Sequence, residues 1–156
     1  KILNETKKIA IAREHLTKEE IKEYAILYIM YNYPGIISPR TEIFDDIKFS
    51  SNNLNLLKSE LLNLISDEKF DQTNKLSLEK KYKNLINDIN QNSLIKNIVL
   101  KKDESQQIEL LNEILKELNE IKFSKRIDDL ENKLIKDFDE KSYSDLMQLK
   151  SQKNKE

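Results

Sequence analysis

The chain carries one histidine, one glycine and no cysteine, and these scarcities bound its chemistry before any fold is considered. A zinc site takes about four N, S or O ligands. His15 has no second histidine and no thiolate to join it. It stands in Arg13-Glu14-His15-Leu16, just ahead of a helix start, where an exposed side chain is the simpler reading. Carboxylates cluster at Asp45-Asp46, at Asp128-Asp129, and at Asp137 with Asp139-Glu140. Paired carboxylates can hold Mg²⁺ for phosphoryl transfer, but such sites sit beside glycine and a basic residue poised for phosphate. Asp128-Asp129 instead interrupts an amphipathic pattern followed by Glu131 and Lys133, which reads as a solvated face with local ion pairs. Gly35 alone cannot build a phosphate cradle, a nucleophile elbow or a dinucleotide fingerprint. Tyr24, Tyr28, Tyr31 and Tyr33 could stack on bases, yet their place in an apolar helix assigns them to core and core rim. Lys150, Lys153 and Lys155 form a weak basic tail. The expectation is a domain with no catalytic residues, no metal and no cofactor.

The elements that would position a binding surface are helical. Only two prolines accompany the single glycine in 156 residues, too little punctuation for a strand-rich fold of tight turns. Leu, Lys and Glu, all good helix formers, are abundant. The net charge is -1, from 27 basic and 28 acidic residues, so nothing demands a nucleic-acid partner. No apolar run reaches the ~18 residues of a membrane span and no signal peptide opens the chain. The absence of cysteine fits a reducing cytoplasm. The first residue is lysine, which reads as a piece of a longer protein.

Lys1 to His15 is a polar lead with a weak helical pattern (Ile2, Ile9, Ile11). Thr17-Lys18-Glu19-Glu20 is a capping box, with Leu16 and Ile21 spaced as a hydrophobic staple. The helix that follows, Lys18 to Tyr33, is apolar on nearly every face and so belongs at the centre of a bundle, with Pro34 and Gly35 stopping it. Pro39 and Thr41 open a short helix through Ile43, Phe44 and Ile47. Ser50-Ser51 caps a helix whose stripe is Leu54, Leu57, Leu61, Leu64 and Ile65. Lys69 to Lys75 reads as a polar loop, and Ser77 as the cap of a helix carrying Leu78, Tyr82, Leu85, Ile86 and Ile89. Leu94 to Leu100 adds a turn or two. From Ser105 a long helix runs to about Asp137. Its stripe Ile108, Leu111, Leu115, Leu118 passes to Phe123, Ile127, Leu130, Leu134 with a shift of phase near Lys122. Asp139-Glu140-Lys141 is a turn, and Ser142 caps the last helix. The fold class expected is all-α: residues 1–17 a linker or helix remnant, 18–121 a compact bundle, and 122–156 a C-terminal helical hairpin on the long helix.

The hairpin carries a surplus. Leu130, Leu134, Phe138, Tyr143, Leu146, Met147 and Leu149 exceed what one interhelix seam can cover. Each apolar side chain left wet forgoes roughly 1.5–3 kcal/mol of burial. Exposed apolar surface rimmed by charge marks an interaction site, and the thioether of Met147 adapts well to a partner. The competing expectation is that the hairpin folds back onto the bundle and hides these groups.

Three stretches together resemble the C-terminal, helicase-binding domain of bacterial DNA primase. EYAILYIMYNYPGII, Glu23 to Ile37, is similar to the family's opening helix and its Asn-Tyr-Pro turn. IKFSSNNLNLLKSELLNLI, Ile47 to Ile65, is similar to the helix after a short acidic segment. SYSDLMQLKSQ, Ser142 to Gln152, looks like the closing helix. The likeness runs from about Glu19 to the C-terminus and rests on the order of three weak motifs. It implies a bundle subdomain like the N-terminal domain of the replicative helicase, and a hairpin that docks onto that helicase domain. Such docking recruits primase to the replication fork and modulates helicase activity. Primer synthesis, by the parent DNA-directed RNA polymerase, would reside in zinc-binding and polymerase domains outside this chain. Carried over by position, the partner-binding residues are Tyr143, Leu146, Met147, Lys150, Ser151 and Lys155, with Leu130 and Leu134 opposite. The tryptophan of some relatives is missing here.

Two other readings stand beside this one. The first is the replicative helicase's own N-terminal domain, which shares the bundle; the polar tail after Lys150 disfavours it, since that domain leads into a linker and an ATPase. The second is a structural helical dimer built on Ile108 to Leu134, disfavoured by the phase shift near Lys122. The expected partner is the helicase N-terminal domain, with no direct nucleic-acid contact and no membrane. The expected state is a monomer, a helix-swapped dimer being the other possibility.

Overall fold

The structure is a computed structural model that describes residues 16–155. The lead from Lys1, with His15, lies outside the described residues. Among the described residues every regular element is a helix, so the all-α class holds. The chain divides into two compact units, Lys1–Asn112 and Glu113–Glu156.

The first unit is built around α1, Lys18–Asn32. Its run from Ala25 to Tyr31 is buried without a break, because α4 (Asn52–Ser66), α6 (Lys83–Gln91) and α7 (Ser93–Leu100) pack around it. A helix enclosed on all sides needs no polar face, which is why its apolar residues show no helical stripe. Thr17 caps it, its Oγ1 accepting from the Glu20 amide at 3.0 Å. The Glu20 carboxylate meets the Thr17 hydroxyl at 3.2 Å. At the other end the Tyr33 amide donates to Ile29 O. Pro34 then serves as the first residue of α2, Pro34–Ile37, the position where its missing N–H matters least. A 3-10 turn, Ser38–Arg40, and α3, Thr41–Asp45, follow.

Glu23 has no exposed surface. A buried carboxylate persists only with hydrogen bonds, and Glu23 accepts from both the amide and the hydroxyl of Ser50 at 2.5 Å. That junction anchors the entry to α4, where Ser51 accepts from the Leu54 amide. On α4 the buried positions are Leu54, Leu57, Lys58, Leu61, Leu62 and Ile65, so the stripe takes in Leu62 where the spacing alone pointed to Leu64. Lys58 is buried by its stem, with Nζ donating to Ile47 O and lying 5.3 Å from the Phe49 ring centroid.

Several helices start earlier than their apolar patterns do. α5 spans Gln72–Lys81, capped by Asp71, whose side chain accepts from the Asn74 amide; Ser77 lies inside it. Asn92 caps α7 through the amides of Leu94 and Ile95. α8, Glu104–Lys136, opens with a reciprocal box: Gln106 N donates to Asp103 Oδ1 at 2.8 Å and Asp103 N to Gln106 Oε1 at 3.0 Å. In α5 and α8 a polar first turn sits in solvent ahead of the buried residues. Asp and Asn cap as well as Ser, so the upstream residue sets the boundary. Buried Gln107 turns back to donate to the carbonyls of Val99 and Lys102, closing the C-terminus of α7.

The second unit comprises the rest of α8 and α9, Glu140–Lys155. Its boundary at Asn112/Glu113 falls nearer the N-terminus than residue 121. The helix runs through it unbroken because neither glycine nor proline occurs between Ser105 and Glu140. The last helix is capped by Asp139 rather than Ser142. Lys141 N donates to Asp139 Oδ1 at 3.2 Å, and the buried Ser142 hydroxyl donates to Asp139 Oδ2 at 3.1 Å.

Candidate partner-binding site

The second unit is a helical hairpin whose register is readable from two contacts. Lys150 Nζ lies 2.7 Å from Glu131 Oε1, and Lys153 lines a groove with Lys116, Asn119, Glu120, Phe123 and Ser124. α9 therefore runs back antiparallel along α8, and Leu146 falls level with Leu130 and Leu134.

On α9 the buried residues are Ser142 and Leu146, with Asp145 and Leu149 half-buried in the same stripe. On α8 the matching stripe is Phe123, Ile127, Leu130 and Leu134, of which Ile127 is buried and the others half-buried. These two stripes make the seam. A narrow seam between two helices covers little more than one position per turn from each, and the remaining apolar side chains are left outside. Ile135 is 83% exposed, Phe138 68%, and Tyr143 and Met147 48% each, while Leu146 is 5% exposed. Tyr143 and Met147 stand one turn apart on the outer stripe of α9. The rings of Phe138 and Tyr143 lie 6.0 Å apart at 44°, so an aromatic pair sits over the turn.

The sequence-expected contact residues thus separate. Tyr143, Met147 and Ser151 face solvent; Leu146 faces the seam; Leu130 and Leu134 are shared between seam and surface. Lys150 is engaged with Glu131. Lys155 ends α9. Ile135 and Phe138 enlarge the exposed group. Ile135 was hidden from pattern reading because it follows Leu134 in an otherwise regular stripe.

One acidic cluster, Asp137 with Asp139-Glu140, forms the hairpin turn beside Phe138, and Asp128-Asp129 lie on α8. Asp45, Asp46, Asp128, Asp129, Asp137, Asp139 and Glu140 are exposed, and no group of three or more His, Cys, Asp or Glu side chains among the described residues is placed to hold a metal. Hydrogen bonds from the Lys141 amide and the Ser142 hydroxyl hold the Asp139 carboxyl below the usual aspartate range, in keeping with a cap. Tyr28 and Tyr31 are buried and Tyr24 and Tyr33 half-buried. Among the described residues no helix is long and apolar enough to cross a membrane.

The fold is therefore that of a helical bundle unit followed by a helical hairpin unit. No family model matches the chain, and no curated protein or solved structure matches it.

Proposed function

We propose that the chain is a protein-docking domain without catalysis of its own, the C-terminal domain of a bacterial DNA primase, and that its hairpin binds the N-terminal domain of the replicative helicase. The observation that carries the reading is the row Ile135, Phe138, Tyr143 and Met147, uncovered on the hairpin while Leu146 fills the seam. Aromatic and methionine side chains on a rigid helical scaffold are the usual anchors of a protein interface. The resemblance of Glu23–Ile37, Ile47–Ile65 and Ser142–Gln152 to primase supplies the partner's identity. Docking would bring primase to the replication fork in the cytoplasm and modulate the helicase.

The test is a calorimetric titration of the domain against the cognate helicase N-terminal domain. Saturable binding is expected, and the double variant Tyr143→Ser/Met147→Ser should weaken it about a hundredfold with an unchanged melting temperature. A fully folded wild-type domain that shows no binding at high micromolar concentration refutes the helicase as partner. Full affinity in the double variant refutes the hairpin as the contact.

A further inference from the structure

The two sides of the hairpin differ in charge, and the register of its helices shows how. On α8 the seam positions Ile127, Leu130 and Leu134 are followed by Asp128, Glu131 and Ile135, a stripe turned about 100° from the seam. On α9 the seam positions Ser142, Leu146 and Leu149 are followed by Tyr143, Met147 and Lys150, with Glu140 one turn ahead of Tyr143. The ion pair between Glu131 and Lys150 joins the two stripes, so both border one side of the hairpin. Residues that precede the seam take the opposite side: Arg126, Asp129 and Lys133 on α8, Lys141 and Asp145 on α9. The uncovered apolar row therefore shares its side with Asp128, Glu131 and Glu140, while Arg126, Lys133 and Lys141 lie across from it. Lys150 is the one base in the two stripes, and Glu131 holds it at 2.7 Å. Asp128 and Glu140 are exposed and make no ion pair among the described residues. They bracket the row, Asp128 two turns before Ile135 and Glu140 at the hairpin turn.

We propose that this side of the hairpin docks a protein surface whose apolar floor is rimmed by lysine or arginine, with basic side chains of the partner meeting Asp128 and Glu140 at the ends of the row. The inference rests on the hairpin being the contact, and adds which side binds and what the partner's surface carries. Charge complementarity selects this occupant. A partner that covers Ile135, Tyr143 and Met147 also desolvates the rim carboxylates, and a buried carboxylate needs a counter-charge. A second copy of the chain is disfavoured, because a two-fold contact on this side sets carboxylate against carboxylate. Nucleic acid and anionic lipid are repelled by the same two groups.

The experiment titrates the full chain in two arms, one with the cognate helicase N-terminal domain and one with a short Leu/Lys amphipathic peptide beside its Leu/Glu counterpart. Binding should weaken as salt rises, the Leu/Lys peptide should be preferred, and its amide shift changes in the unmodified chain should centre on Asp128, Ile135, Glu140, Tyr143 and Met147. Asp128→Lys/Glu140→Lys should weaken binding about tenfold, whereas Lys133→Gln/Lys141→Gln, on the opposite side, should change it less than about twofold. Peptide binding mapped to this side without helicase binding upholds the proposal and refutes the helicase as partner. Helicase binding that is lost in Tyr143→Ser/Met147→Ser but indifferent to salt and to Asp128→Lys/Glu140→Lys upholds the helicase and overturns the basic rim. Absence of binding in both arms overturns the proposal, as does preference for the Leu/Glu peptide, mapping to the side of Lys133 and Lys141, or self-association through the row. Salt dependence and shift mapping of the unmodified chain decide the matter even if a variant is poorly folded.

Discussion

Lys150 Nζ and Glu131 Oε1 meet at 2.7 Å across the hairpin, away from its turn, and the pair marks the register of α9 on α8. Both side chains are more than a third exposed, so water and salt screen the attraction. A double-mutant cycle with Lys150→Ala and Glu131→Ala should give a coupling of about 0.5 kcal/mol at low salt that vanishes near 1 M salt. A coupling above ~2 kcal/mol would show a pair far drier than the exposed one described. On the helicase reading, Lys150→Ala should weaken docking far less than loss of Met147.

Glu68 is the backbone anomaly of the bundle, with φ of 57°. It follows the C-cap Asp67 of α4 and completes a Schellman turn: Glu68 N donates to Ile65 O and Lys69 N to Leu64 O at 2.9 Å. The left-handed conformation costs a non-glycine residue roughly 1 kcal/mol. Glu68→Gly should therefore raise stability by about 0.5–1 kcal/mol, read as a higher urea midpoint with an unchanged slope. Glu68→Val, β-branched, should lower it.

What the residues disclosed and what they concealed follow one physical divide. Burial was legible where it leaves a pattern: the apolar-all-round α1 had to be central, and the 108–134 stripes had to form a long helix. Caps were legible at Thr17, which the staple pair Leu16 and Ile21 brackets, and at Ser51, where no later serine precedes the stripe. They were concealed at Asp71, Asp103 and Asp139, where a later serine offers a competing start. The hairpin's surplus of apolar groups was legible by counting, but its orientation was not. Which of Leu146 and Met147 lies inside depends on a rotation of α9 of one residue, about 100°, and the Glu131–Lys150 pair is too distant in sequence to announce it.

Buried Glu23 offers a sharper test of the bundle. Its carboxylate takes both the amide and the hydroxyl of Ser50, although Ser50 itself is exposed. Glu23→Ala should cost about 3 kcal/mol, because two hydrogen bonds to a charged acceptor are lost together. Ser50→Ala, which keeps the amide contact, should cost about 1 kcal/mol. Equal losses in the two variants by urea unfolding would show that the hydroxyl, not the carboxylate, organises the junction.

Tyr31 ties α1 to α5 and to Phe70 just ahead of that helix through three contacts. Its hydroxyl donates to the Glu79 carboxylate, its ring meets Phe70 edge-on at 6.1 Å, and Lys75 Nζ sits 4.6 Å over it. Burial, and then the Glu79 carboxylate, push the phenol above its usual value of 10.0. Raising the folded pKa stabilises the protonated form. The contribution is fully present below pH ~10 and fades as pH climbs through the higher folded value. Alkaline absorbance titration should find Tyr31 among the phenols that ionise late, and Tyr31→Phe should reduce that late step. A Tyr31 that titrates with the exposed phenols would contradict the hydrogen bond to Glu79.

Asp139 reverses that sign at the hairpin turn. Its carboxylate caps α9 through the Lys141 amide and then the Ser142 hydroxyl, which holds it below the ordinary 3.8. A depressed carboxyl pKa means stabilisation that is complete above the unfolded value and lost as pH falls through the folded one. The Lys141 amide shift should thus titrate with a midpoint below that of a free aspartate, and the hairpin should loosen over the same interval. Asp139→Asn keeps an acceptor for the Lys141 amide and should retain α9 at neutral pH with the acid step removed, whereas Asp139→Ala should fray the first turn at every pH. Since Phe138 and Tyr143 flank that turn, the alanine variant should also disorder the aromatic pair and weaken helicase docking, while the asparagine variant should not. Identical docking by both variants would separate the cap from the binding surface and confine Asp139 to local helix stability.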